Sequence, residues 1–91
     1  MGNEAVFISL CEMLQELWDR REKCLRDYDR LYAAVFRLRT AVRTAEAQHE
    51  TAVLAERRQK LYEMETRLAS LEKACIDLDT DWRVLRAQIR E

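Results

Sequence analysis

Apolar residues recur along this chain in two seven-residue registers, and the two do not join. In the C-terminal half Leu54, Leu61, Leu68, Cys75, Trp82 and Ile89 form one series. Met64, Leu71, Leu78 and Leu85 form the other, with Arg57 as its polar member. Set at positions a and d of a heptad, they describe a helix whose seam needs a second helix to cover it.

The N-terminal half has its own frame. Phe7, Leu14, Tyr28, Val35 and Val42 fall at a, interrupted by Arg21 and His49. Leu10, Leu17, Cys24, Leu31 and Leu38 fall at d, followed by Ala45 and Ala52. Here position e is also apolar, reading Cys11, Trp18, Leu25 and Tyr32 before Arg39, and Phe36 extends that flank. A face of a, d and e suits a helix in a bundle better than a strict two-stranded coil. Trp18, Leu25, Tyr32 and Phe36 are therefore the candidate partner-binding residues, because large apolar side chains outside a seam mark interaction surfaces. Ser9 with Glu12 has the spacing of a capping box, although apolar residues begin before it and the helix is expected to start nearer Asn3.

The chain thus reads as one all-α segment, 1–91: a wide apolar face over 4–43, a weak frame-shift region over 44–60 and regular heptads over 61–91. Carried forward, the first frame would place the polar Glu56, Glu63 and Ser70 at a, so the second frame is displaced by two residues. Two architectures follow. A single continuous helix could pass through a stretch with four-residue steps, which locally unwind a supercoil. About 85 helical residues would then extend about 130 Å. Alternatively the chain turns near 44–51 and forms a helical hairpin or a three- or four-helix bundle. Turns normally use Gly, Pro, Asn or Asp; the chain has no proline, its one glycine is Gly2, and residues 44–51 contain none of the four. The continuous helix, paired as a parallel coiled-coil homodimer, is the expected form. Attractive interchain g–e pairs support it: Lys60 with Glu65, Arg67 with Glu72 and Asp81 with Arg86. Leucine at d in Leu71, Leu78 and Leu85 supports it as well. Trp82 at a fits that seam poorly.

Composition narrows the function. Charged residues make up 36% of the 91, as coiled coils and helical bundles require, and the net charge is −1. No apolar run reaches the roughly 20 residues of a membrane span, and the N-terminus lacks the basic start of a signal peptide. Met1-Gly2-Asn3 opens like an N-myristoylation signal, but Val6 stands where Ser or Thr is needed. Three cysteines fit neither a disulfide framework nor a zinc site, which makes a reducing cytoplasmic or nuclear setting the default.

Charge is segregated. Residues 1–19 carry four acids and no base, whereas residues 20–43 carry eight bases against three acids. Arg20, Lys23, Arg30, Arg37, Arg39 and Arg43 form a basic patch suited to an acidic partner or, more simply, a solvated helix face. The overall balance lacks the basic excess of a dedicated nucleic-acid binder. His49 has no Cys or Asp at helical spacing to share a metal. Asp77, Asp79 and Asp81 diverge by about 200° at each step on a helix and read as a solvated flank. No nucleophile–base pair, metal set or phosphate loop is present, so no catalytic, cofactor-binding or metal residue is assigned and no enzyme is expected.

The segment Leu71-Glu72-Lys73-Ala74-Cys75-Ile76-Asp77-Leu78 resembles the last-helix segment of tubulin-folding cofactor A. That family is a small three-helix bundle that holds β-tubulin. The likeness covers eight of the 91 residues, and the loop signals between helices in that family are missing here. It implies a helical-bundle binding module or chaperone. The periodicity itself points to a coiled-coil oligomerisation or scaffold segment of a cytoskeletal, kinetochore or trafficking assembly. Such a segment binds itself and another protein, and its mechanism is the avidity gained by joining two copies.

Overall fold

The computed structural model describes residues 2–90 and contains two α-helices, with no strand among those residues. α1 spans Gly2–Ala47 and α2 spans Thr51–Arg90. The all-α class is the one the periodicity predicts. The helix is not continuous, however: it breaks after Ala47, and the helical hairpin is the architecture adopted. Ser9 lies inside α1 and caps nothing.

The break is made by backbone geometry. His49 adopts φ 56°, the left-handed conformation, where glycine normally sits. Around it the Glu50 N–H donates to the Ala45 carbonyl at 3.0 Å and the His49 N–H to the Glu46 carbonyl at 3.2 Å. These two bonds are the Schellman pair that closes a helix C-terminus. The Glu50 carbonyl then accepts from Leu54 N–H at 3.0 Å, the first intrahelical bond of α2. Histidine is among the few non-glycine residues enriched at positive φ, which is how a stretch without Gly or Asn makes the reversal. Thr40 and Thr44 stay helical, their hydroxyls donating to the carbonyls of Phe36 and Thr40.

Contacts divide the chain into two compact units, Met1–Arg26 with Lys73–Glu91 and, separately, Asp27–Glu72. In the turn-containing unit, Asp27–Glu72, α1 and α2 run antiparallel, with Val35, Val42 and Ala45 buried. Tyr28, Leu31 and Leu38 from α1, and Leu61, Met64, Leu68 and Leu71 from α2, are half-buried along the same seam. Arg57, the polar member of that seam, extends its guanidinium to the Ala41 carbonyl at 3.3 Å. Exposed ion pairs between the helices, Arg39–Glu65 and Arg58–Glu46 at 3.0 Å each, add about 0–1 kcal/mol apiece.

In the terminal unit, Met1–Arg26 with Lys73–Glu91, Cys24, Cys75 and Leu85 are buried. Leu10, Leu14 and Leu17 of α1 and Leu78, Trp82 and Ile89 of α2 are half-buried around them. The sulfurs of Cys24 and Cys75 meet directly. Facing residues therefore have numbers that add to 99, which sets Leu14 opposite Leu85 and Leu10 opposite Ile89. Position a of one helix faces d of the other, the antiparallel relation, not the a–a and d–d relation of a parallel pair. The seam expected to face a second chain faces the chain's own other helix. Glu65, expected to pair with Lys60 of another copy, pairs with Arg39.

Two measurements check this arrangement. His49→Gly is expected to raise stability by about 0.5–1 kcal/mol and His49→Val to lower it by about 1–2 kcal/mol, read as shifts of the urea midpoint. In a Cys11→Ser background, diamide is expected to join Cys24 to Cys75 within one chain, giving a faster monomer on a non-reducing gel. Disulfide-linked dimer as the main product would contradict the antiparallel register.

Candidate protein-docking surfaces

Each unit carries a surface the seam does not use. In the terminal unit it begins at an arginine that interrupts the heptads. Arg21 occupies position a of α1, where an isolated charge would be costly. Its Nε donates to Asp79 Oδ1 at 2.8 Å and its NH1 to Glu22 Oε1 at 3.1 Å. The second oxygen of Asp79 takes Arg83 Nε at 2.9 Å. Asp79 is thus more than a solvated flank, whereas Asp77 and Asp81 are exposed.

The same guanidinium lies 5.0 Å from the Trp18 ring centre and 5.9 Å from that of Trp82. The two indoles are 5.1 Å apart and tilted by 53°. Arg86 covers Trp82 at 5.0 Å. Tilted aromatic pairs contribute about 0.5–1.5 kcal/mol beyond area burial, and cation–π contacts about 0.5–1 kcal/mol at exposed sites. Trp82, a poor fit for a parallel seam, is accommodated here because α1 offers Trp18 from position e. The residues linking the helices were illegible in the sequence because 58 positions separate Arg21 from Asp79.

Of the four expected partner-binding residues, Trp18 is 38% and Leu25 37% exposed in this unit. In the turn-containing unit Tyr32 is 51% and Phe36 62% exposed, and Tyr32 stacks on Tyr28 at 6.0 Å. Trp18 is partly occupied by internal contacts, so the open part of the flank is Tyr32 with Phe36. In that unit α2 leaves Tyr32 and Phe36 of this flank exposed. Position g is covered more fully: Asp27, Ala34 and Ala41 are half-buried. Small side chains at g let α2 approach on that side, and the aromatic e side is left facing solvent.

All six residues of the basic patch, Arg20, Lys23, Arg30, Arg37, Arg39 and Arg43, are exposed. They do not act alike. Arg39 is held by Glu65. Arg30 and Arg37 line two clefts of the turn-containing unit. One, about 470 Å³, is lined by Arg30, Arg67, Leu31, Ala34 and Leu71, with Asp27 the single acid. The other, about 320 Å³, has Arg37 and Lys60 beside Leu38, Ala41 and Met64. Lys60 and Arg67 escaped notice in the sequence as members of this groove because their heptad positions suited interchain ion pairs.

No group of three metal-binding side chains occurs among the described residues, and none of their helices is long and apolar enough to cross a membrane. No protein-family model, curated protein or solved structure matches the chain. Asp79→Ala is expected to destabilise the chain by about 1–2 kcal/mol by leaving Arg21 without its main acceptor. A urea titration followed by tryptophan fluorescence reads both the midpoint and the loosening of the indole pair.

Proposed function

We propose that this chain is a non-enzymatic assembly module: a helical hairpin that self-associates and docks another protein, so that two copies of its docking surface act together. The observation that carries this reading is the exposed pair Tyr32 and Phe36 beside a seam already closed within the chain. Aromatic residues outside a satisfied core contribute binding energy only when something covers them. A helix laid along this flank would meet them as anchors one turn apart, the helix-in-groove mode of recognition. Joining two such hairpins raises avidity without new contacts at the docking site. The scaffold role expected of a parallel coil therefore passes to the flanks of the hairpin. A cytoskeletal, kinetochore or trafficking assembly is the setting such a module suits.

The hairpin also brings the chain nearer to a compact binding module that holds one client as a monomer. Oligomeric state separates the two readings. The double variant Tyr32→Ser, Phe36→Ser is expected to keep its helicity by circular dichroism and its mass by light scattering while losing partner proteins recovered by wild-type chain. A variant that turns monomeric would assign the flank to self-association instead. A wild-type monomer that binds one client in a one-to-one complex would replace the scaffold reading.

A further inference from the structure

Within the turn-containing unit the two sides of the seam are finished differently. On the e side opposite charges meet across the helices, Arg39 with Glu65 and Arg58 with Glu46. On the g side the clefts of about 470 and 320 Å³ bring together Arg30 with Arg67 and Arg37 with Lys60. None of these four cations takes part in an ion pair among the described residues. Asp27 is the one acid in either lining. Glu56 and Glu63, one turn before Lys60 and Arg67 on α2, line neither cleft, and Glu63 accepts from the Gln59 amide at 3.2 Å. Ala34 lines both clefts and joins them into one groove, whose cations are exposed and whose apolar residues are half-buried. Its two walls also repeat alike. Arg30, Ala34, Arg37 and Ala41 follow on α1 at steps of four, three and four, as Lys60, Met64, Arg67 and Leu71 do on α2.

We infer that this groove receives an acidic amphipathic helix of another protein, one with apolar residues on a seven-residue repeat and Asp or Glu on both sides of each. Every cleft offers one cation from each helix with apolar side chains between, and the arrangement recurs one heptad on, from Arg30 to Arg37 and from Lys60 to Arg67. An apolar stripe between two rows of carboxylates is the complement of that pattern, and a helix lying along the groove presents it at the same period. All four cations then face carboxylates, which relieves the mutual repulsion of like charges gathered without acceptors. Ala34 and Ala41 let the backbone of the incoming helix come close, and Met64 adapts to the shape of its anchors. Nucleic acid satisfies the cations alone, because a phosphate chain buries nothing against leucine and methionine. The groove runs on the other flank of α1 from Tyr32 and Phe36, so its occupant is a contact beyond the one in the proposed function.

The test uses the whole chain and a synthetic peptide of about three heptads, leucine at a and d and glutamate at e and g, with binding read by titration calorimetry at about 50 mM salt. The peptide is expected to bind one to one. A peptide of the same composition with its leucines scrambled is expected to bind at least about tenfold more weakly. Arg37→Gln with Lys60→Gln is expected to weaken binding about tenfold. Ala34→Arg adds a positive charge but fills the groove, so it is also expected to weaken binding about tenfold, whereas attraction by charge alone would tighten it. Circular dichroism checks each fold, and the glutamine variant, which alters exposed side chains only, keeps the test decisive if Ala34→Arg unfolds. Absence of binding, equal binding of the scrambled peptide or tighter binding by a folded Ala34→Arg overturns the inference. So does a single-stranded oligonucleotide or a phosphatidylserine vesicle held as tightly as the peptide. A peptide that dissociates self-associated chain assigns the groove to a second copy and overturns it as well. Tyr32→Ser with Phe36→Ser is expected to leave peptide binding unchanged, so failure at this groove and failure at the aromatic flank are read separately.

Discussion

Two apolar stripes on one chain must each be covered, and reversing the chain lets each stripe cover the other. The stripes are offset by two residues, so a straight helix would carry them on different faces. After the reversal each becomes the seam of its own helix, and antiparallel pairing sets a against d in each unit. The constraint is satisfied at a single backbone position. His49 accepts a left-handed conformation at a cost of about 1–2 kcal/mol, and the Schellman bonds to Ala45 and Glu46 hold it there.

The polar interruptions of the seam follow from the same pairing. Arg57 reaches a main-chain carbonyl of α1, and Arg21 is enclosed by Asp79, Glu22 and two indoles. Neither is a defect of the heptad pattern, since each finds its partners near by. Such charges cost little while their acceptors remain and much when one is removed. They also disfavour other alignments of the helices, because a shift by one heptad would separate Arg21 from Asp79.

The buried residues Cys24, Val35, Val42, Ala45, Cys75 and Leu85 all stand at a or d of the two frames, because burial on a helix follows spacing. What covers the seam was not legible: a seven-residue period is the same whether the covering helix belongs to another chain or to this one. The turn was hidden because histidine took the place that glycine or asparagine usually marks. The offset between the frames was its trace, and it could equally be read as a stretched helix. The e flank was identified, but Trp18 proved to be shared with Trp82, and spacing along one helix cannot reveal a contact made by residues so far apart in the chain.

The position of the reversal also bears on how the chain folds. Contacts close to His49, such as the ion pair of Glu46 with Arg58, join residues 12 positions apart, whereas Cys24 and Cys75 are separated by 51. Loop closure costs grow with that separation, so the route of least entropy loss zips outward from the turn. The region with the fewest large apolar residues is then the nucleus. On that route the contacts near His49 form early and bear on the folding rate, while the tryptophan–arginine cluster forms late and bears on the unfolding rate.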